Sequence, residues 1–210
     1  PTRVVPGGYY QVVLENRIVG LLPHEAVGHC AEADLVYGGS YLANKVRQKV
    51  ASERITLVDD GNFPSGFGTM MYDDEGTPTE KTVIIENGVV KGFMHSRETA
   101  RQFGVSPTGN ARAWSFEYDP IIRMRNTYIM PRDQTLEELV GDVKHGYFLT
   151  GGASGQADFN GEFMFGTQEA VKIERGELKE SFRGATISGS AFEVRKKVEG
   201  VGKDFAMRAG

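Results

Sequence analysis

The sequence predicts an α+β fold: a largely antiparallel sheet with packed helices, one of which carries a His-Glu-x-x-x-His motif. Three observations predict it. Residues 81–86 and 89–93 are strand-like runs joined by Asn87-Gly88, the residue pair of a type I′ hairpin turn. Further short strand-like runs at 156–159, 162–166 and 170–174 end in Arg175-Gly176, which turns the chain back. Between such runs lie helices with readable ends, so hairpins and helices are interspersed.

Taken in order, residues 9–14 read as a strand after Pro6-Gly7-Gly8. A helix over about 18–35 carries the motif, and Gly38-Gly39-Ser40 breaks the chain. Residues 41–52 have helical spacing and a basic face of Lys45, Arg47 and Lys49, expected to be solvated surface rather than a phosphate site. Residues 55–58 form a short strand ending at Asp59-Asp60-Gly61, and 62–68 a loop. The acidic stretch Asp73-Asp74-Glu75-Gly76-Thr77-Pro78 lacks the alternating acids and distal Glu of a calcium loop, so it reads as a plain turn. Ser96 caps a helix to about Phe103 that stops at Gly104. Loop follows at 107–110, and residues 123–130 form a strand. Thr135 with Glu138 makes a capping box opening a helix to about Lys144. Gly151-Gly152-Ala153-Ser154-Gly155 has neither the Lys-Ser/Thr of a phosphate loop nor dinucleotide spacing, and is expected to be a bend or a close backbone approach. A basic amphipathic helix at 190–200 closes the pattern.

Composition sets the class. The chain has 210 residues with 40% hydrophobic and 25% charged, as in a soluble globular protein, and no linker marks a boundary, so residues 1–210 are expected to be one domain. The net charge of −4 gives no argument for nucleic-acid binding. No run of 18 apolar residues suggests a membrane span. The single cysteine, Cys30, rules out an internal disulfide and fits a reducing, cytoplasmic compartment. The chain starts Pro1-Thr2-Arg3, without Met or a signal-peptide apolar region, and is expected to be a processed product or part of a longer chain.

Two of the four histidines bracket a glutamate in His24-Glu25-Ala26-Val27-Gly28-His29. A helical His-Glu-x-x-His run binds zinc through imidazoles one turn apart, with the Glu as general base. Here the spacing is one residue longer. On a regular α-helix His24 and His29 would lie roughly 140° apart, too far to share a tetrahedral ion. Either a π-bulge absorbs the extra residue, or the helix ends at Gly28, a residue tolerant of irregular backbone, and His29 reaches the ion from the next turn. In both cases Gly28 is the expected pivot, with the two histidines facing one cavity. The bland alternative is a pair of ordinary polar residues at a helix end.

This motif, Asp59-Asp60-Gly61, the acidic turn, Ile85-Glu86-Asn87-Gly88, Pro107-Thr108-Gly109-Asn110 and Asn126-Thr127-Tyr128 occur in an order that resembles the TldD/PmbA family, known as metalloproteases and as modulators of DNA gyrase. The likeness runs from about Tyr9 to the end and is closest to the TldD branch, which holds the His-Glu-x-x-x-His motif. It implies a zinc-dependent peptidase acting on short or unfolded peptides, such as peptide-antibiotic precursors and an unstable antitoxin. His24 and His29 would be zinc ligands and Glu25 the catalytic acid/base. It also implies a homodimer, or a heterodimer with a PmbA-like subunit, around an enclosed cavity. In TldD proteins the third zinc ligand is a cysteine in a Cys-Gly segment near the C-terminus. On this resemblance the chain is expected to stop, at Gly210, just short of such a segment and to be without the family's N-terminal region. The expectation is a truncated chain whose metal site is incomplete and which, alone, holds zinc weakly or not at all. Cys30 directly follows His29 and is not that cysteine. His95 and His145 are fallback ligands, although His145 is expected to meet the terminal carbonyls of the capped helix. The rival reading is a non-catalytic peptide- or partner-binding subunit. Glu25 favours the enzyme, since a structural metal site needs no acid beside its ligands.

Overall fold

The computed structural model describes residues 3–157 and 162–207; the side chains of Leu21, Leu22, Glu25, Ala26, Ala153, Ser154, Ala157 and Phe192 are outside that description as well. It is an α+β structure whose sheets are mostly antiparallel. The larger sheet is built on two strands of 13 residues each, β8 (His145–Ala157) and β9 (Glu162–Glu174). The strand β1 (Gln11–Leu14) flanks β8 in parallel, and β10 (Glu177–Arg183) and β11 (Thr186–Ser190) pair with successive halves of β9. The second sheet has the order β4-β3-β2-β7, with β2 at Leu57–Asp60, β3 at Lys81–Glu86, β4 at Val89–Val90 and β7 at Thr127–Ile129. A two-stranded ribbon joins β5 (Ala111–Arg112) to β6 (Ile121–Ile122). The main core runs from Val27 and Ala31 through Leu42, Leu57, Ile84, Ile85 and Met94 to Phe165.

The local punctuation explains the elements it predicted. Asn87 and Gly88 both take positive φ (47° and 81°), as a type I′ turn requires. The helix Arg97–Phe103 has a full capping box from Ser96 and a left-handed Gly104. In Leu136–Gly141 the Thr135 N–H donates to Glu138 Oε2 at 2.7 Å and the Glu138 N–H to Thr135 Oγ1 at 3.1 Å. Asp73 Oδ1 accepts the N–H groups of Glu75 and Thr77, so the acidic stretch is a self-bonded turn.

Other expectations yield to tertiary pairing. Residues 41–52 are turns. Asn44 and Arg47 sit at positive φ, and the N–H groups of Arg47 and Val50 donate to Val90 and Gly88 carbonyls of the hairpin. The glycine-rich 151–155 stretch lies inside β8, where the pairing with β9 shifts register between Gly152 and Gly155. A Cβ on Gly155 would come within 2.5 Å of the Met164 carbonyl, so the close backbone approach is real although the chain does not bend away. His145 opens β8 with its ring near Tyr10 rather than ending a helix, because residues 146–149 pair with β1. The last helix shortens to Ala191–Val194 plus a 3-10 turn, Arg195–Lys197, where Arg195 turns in over the Tyr41 ring. The expected strand at 156–159 lies partly outside the described residues. Among the described residues, no helix is long and apolar enough to cross a membrane.

Candidate metal centre

The motif follows directly from β1. The helix α1 (Asn16–Pro23) leaves that strand with Glu15 clamped to β8: its N–H donates to the Leu149 carbonyl and its Oε2 accepts the Gly151 N–H at 2.7 Å. Ile18 is fully buried against Tyr147, Leu149, Ala170 and Phe182. The helix is therefore fixed on the sheet one turn before the motif.

At His24 the helix changes pitch. Residues His24–Gly28 form a π turn and His29–Ala31 a 3-10 turn. Pro23 stands at the junction. It has no N–H to continue the α ladder and its ring crowds the carbonyl four residues back, which favours a wider turn at this point. A π turn closes residue i onto i+5 and so brings residues five apart closer around the axis than a regular α-helix does. The ring centroids of His24 and His29 are 5.4 Å apart at an interplanar angle of 76°. Two imidazoles bound tetrahedrally at about 2.0–2.1 Å per Zn–N bond would have centroids roughly 5 Å apart. The separation is in the range that two ligating imidazoles would take. Among the described residues no group of three His, Cys, Asp or Glu side chains gathers to hold a metal. Glu25 follows His24 in the π turn, and its side chain lies outside the described residues.

Gly28 is needed here for a different reason from the expected one. Its φ and ψ are −58° and −52°, values any residue adopts. A Cβ at Gly28 would lie 2.1 Å from Met124 Sδ and 3.2 Å from the Pro23 carbonyl oxygen, so Met124 would have to move to admit it. Met124 is buried, and its neighbours are pinned on both sides. Asp59 Oδ1 accepts the Arg125 N–H and the Thr127 hydroxyl, each at 2.8 Å. Asn110 Nδ2 donates to Asp59 Oδ2 at 2.7 Å and to the Arg123 carbonyl at 3.0 Å. Burial pushes the Asp59 carboxyl pKa up, and these three donors oppose the shift. Gly28→Val is expected to cost about 1–3 kcal/mol, the usual range for overpacking, and to separate the two rings. Urea unfolding beside a measurement of zinc affinity checks both effects; unchanged values would remove Met124 as the constraint.

Beyond the π turn, Glu32 adopts extended backbone (φ −70°, ψ 121°) as Ala31 and Ala33 exchange hydrogen bonds with Met94. The helix expected over 18–35 is thus interrupted, and Ala33–Tyr37 forms a separate helical turn. The Glu32 side chain is 1% exposed and reaches back to the motif. Its Oε1 lies 3.0 Å from His29 Nδ1, and its Oε2 lies 3.4 Å from Arg123 Nη1. Sequence reasoning gave Glu32 and Arg123 no role. The i, i+3 spacing from His29 was the available signal for Glu32; nothing in the sequence points to Arg123, 91 residues away from it.

The other candidates lie elsewhere. Cys30 is a core residue whose thiol pKa is pushed up by burial, with the nearby Arg195 charge opposing. His95 is 4% exposed, packed among Phe93 and Phe103 with Nδ1 3.2 Å from Thr99 Oγ1. Burial lowers its pKa from 6.5 to about 4. The unfolded chain therefore takes up a proton at this site between those values while the folded chain does not. The stabilisation is complete above pH 6.5 and is lost as the pH falls to 4, by about 3 kcal/mol. His95→Gln keeps a neutral polar group and should flatten the drop in stability between pH 7 and 4 by that amount; parallel urea curves at the two pH values test it.

Comparison with known proteins supplies the context for this geometry. The family described as PmbA/TldA metallopeptidase C-terminal domain matches residues 7–210. A metalloprotease of Methanocaldococcus jannaschii is 44% identical over 98% of this chain and 46% of its own length. A zinc metalloprotease TldD homolog of Saccharolobus solfataricus is 39% identical over 97% of this chain and 46% of its own. The crystal structure of TldE from Thermococcus kodakarensis superposes with a TM-score of 0.77 at 30% identity, covering 92% of this chain and 47% of that one. The chain thus spans about half the length of these relatives.

Proposed function

The chain belongs to the PmbA/TldA metallopeptidase family, and from that premise we propose that it is the zinc-binding region of a TldD-like peptidase that hydrolyses short or unfolded peptides. The observation that carries this reading is the π turn, which brings His24 and His29 to 5.4 Å between ring centroids.

In the proposed site His24 and His29 would hold the ion through ring nitrogens. Zinc, when bound, supplies Lewis-acid polarisation of the scissile carbonyl and activation of the hydrolytic water. Glu25 would take a proton from the attacking water on a carboxylate oxygen and deliver it to the leaving amine nitrogen. The Glu15 clamp and the Asp59–Asn110 network hold the helix and the Met124 segment in register and so support the spacing of the two rings. Pairing with a subunit like TldE is part of the proposal, motivated by the structural likeness to that protein.

The test is cleavage of an unstructured peptide by the full-length protein before and after treatment with a strong chelator. Activity should disappear and return on adding zinc. Cleavage indifferent to chelator would overturn the metallopeptidase reading.

A further inference from the structure

Glu32 and Arg123 sit beside the proposed centre with a geometry that the ligand assignment leaves unused. Glu32 is 1% exposed, so its carboxylate has given up water and depends on protein donors. It faces two. His29 Nδ1 is 3.0 Å from one oxygen and Arg123 Nη1 is 3.4 Å from the other. A guanidinium only donates, and an ionised carboxylate only accepts. With Glu32 ionised both of its oxygens accept, and the tautomer that satisfies this contact carries its proton on His29 Nδ1. The lone pair of the imidazole is then left on Nε2.

We infer that Glu32, held by Arg123, is a positioning residue that fixes His29 in the Nδ1–H tautomer and turns Nε2 toward the metal. The inference rests on the zinc reading above. The i, i+3 spacing places the Glu32 carboxylate against the His29 ring, and the extended backbone at Glu32 starts the step to the next helical turn. Arg123 is set by the hydrogen bond from its N–H to the Asn110 carbonyl at 2.9 Å and by the Asn110 amide on its own carbonyl. The same Asp59–Asn110 network that seats Met124 on Gly28 thus also seats Arg123 on Glu32. A carboxylate behind a ligating imidazole raises ligand basicity, and removing such a partner typically costs 10–100-fold in metal affinity.

The decisive measurement is a long-range proton–nitrogen NMR spectrum of the metal-free, full-length protein labelled at histidine nitrogen. His29 should show a protonated Nδ1 and a bare Nε2. A protonated Nε2 in a protein that still binds zinc would overturn the positioning role and leave the zinc reading standing. Zinc absent from the wild-type protein under competition with a chromophoric chelator would overturn both. Glu32→Gln keeps the shape but turns one end of the amide into a donor, which conflicts with either His29 Nδ1–H or Arg123. Its zinc affinity should fall about 10–100-fold, with both His29 tautomers populated. Unchanged affinity and an unchanged spectrum in a folded Glu32→Gln protein would sink the idea. The wild-type spectrum needs no variant, so a misfolded Glu32→Gln leaves the test intact.

Discussion

His24→Ala is expected to remove zinc and peptide cleavage together. In the proposed site His24 is one of only two ligands within the described residues, and catalytic zinc sites usually rest on three protein ligands. Losing one leaves too few to hold the ion against a mild chelator. With the ion goes its stabilisation of the developing charge, worth several kcal/mol, or on the order of 10³-fold in rate. The fold should survive, because His24 is exposed and the helix beneath it is anchored elsewhere, by Ile18 and Glu15. Substitutions at such surface positions usually shift stability by about 0.5 kcal/mol or less. Elemental analysis, thermal unfolding and cleavage of an unstructured peptide on one preparation decide the matter. A folded His24→Ala protein that keeps stoichiometric zinc and full activity would exclude His24 as a ligand.

The five-residue spacing shows where sequence was informative and where it was not. The mismatch of roughly 140° demanded irregular backbone, and a π turn is what the chain forms. Pro23 immediately before His24 is the local cue to where the pitch changes. Gly28 was expected as the pivot, by a π-bulge or by a helix end at a permissive glycine; it closes the π turn with ordinary φ and ψ, and Met124 stands where its side chain would be. A contact across 96 positions of sequence leaves no local signature. The same holds for the other order-defining motifs. Asp59, Asn110 and Thr127 carried the family resemblance, and in space they form one buried hydrogen-bonded cluster that fixes the segment above the π turn. Capped helices and the Asn87-Gly88 hairpin were readable because their signals lie within four residues. The length of strand β8 was not, since its glycines read as a bend or a close backbone approach and only pairing with β1 and β9 holds the segment extended.

Glu25→Gln should separate chemistry from binding. The substitution keeps the size of the side chain and removes its ability to take a proton. Glu25 is not assigned as a ligand, so zinc content and unfolding temperature should match the wild type. Cleavage should fall by about 10²–10⁴-fold, the usual contribution of a general acid/base. The pattern differs from that of His24→Ala, where metal and activity go together. It differs again from Glu32→Gln, where affinity weakens and activity recovers as zinc is raised, because a positioning residue acts through the ion's occupancy while an acid/base acts after it. Excess zinc therefore discriminates among the three: it should rescue Glu32→Gln, leave Glu25→Gln at its reduced rate, and fail with His24→Ala at concentrations that saturate the wild type. A Glu25→Gln protein with full zinc and undiminished cleavage would take Glu25 out of the mechanism. The site would then be a metal-binding or partner-binding feature of the fold, and the case for an enzyme at this position would rest on family membership alone.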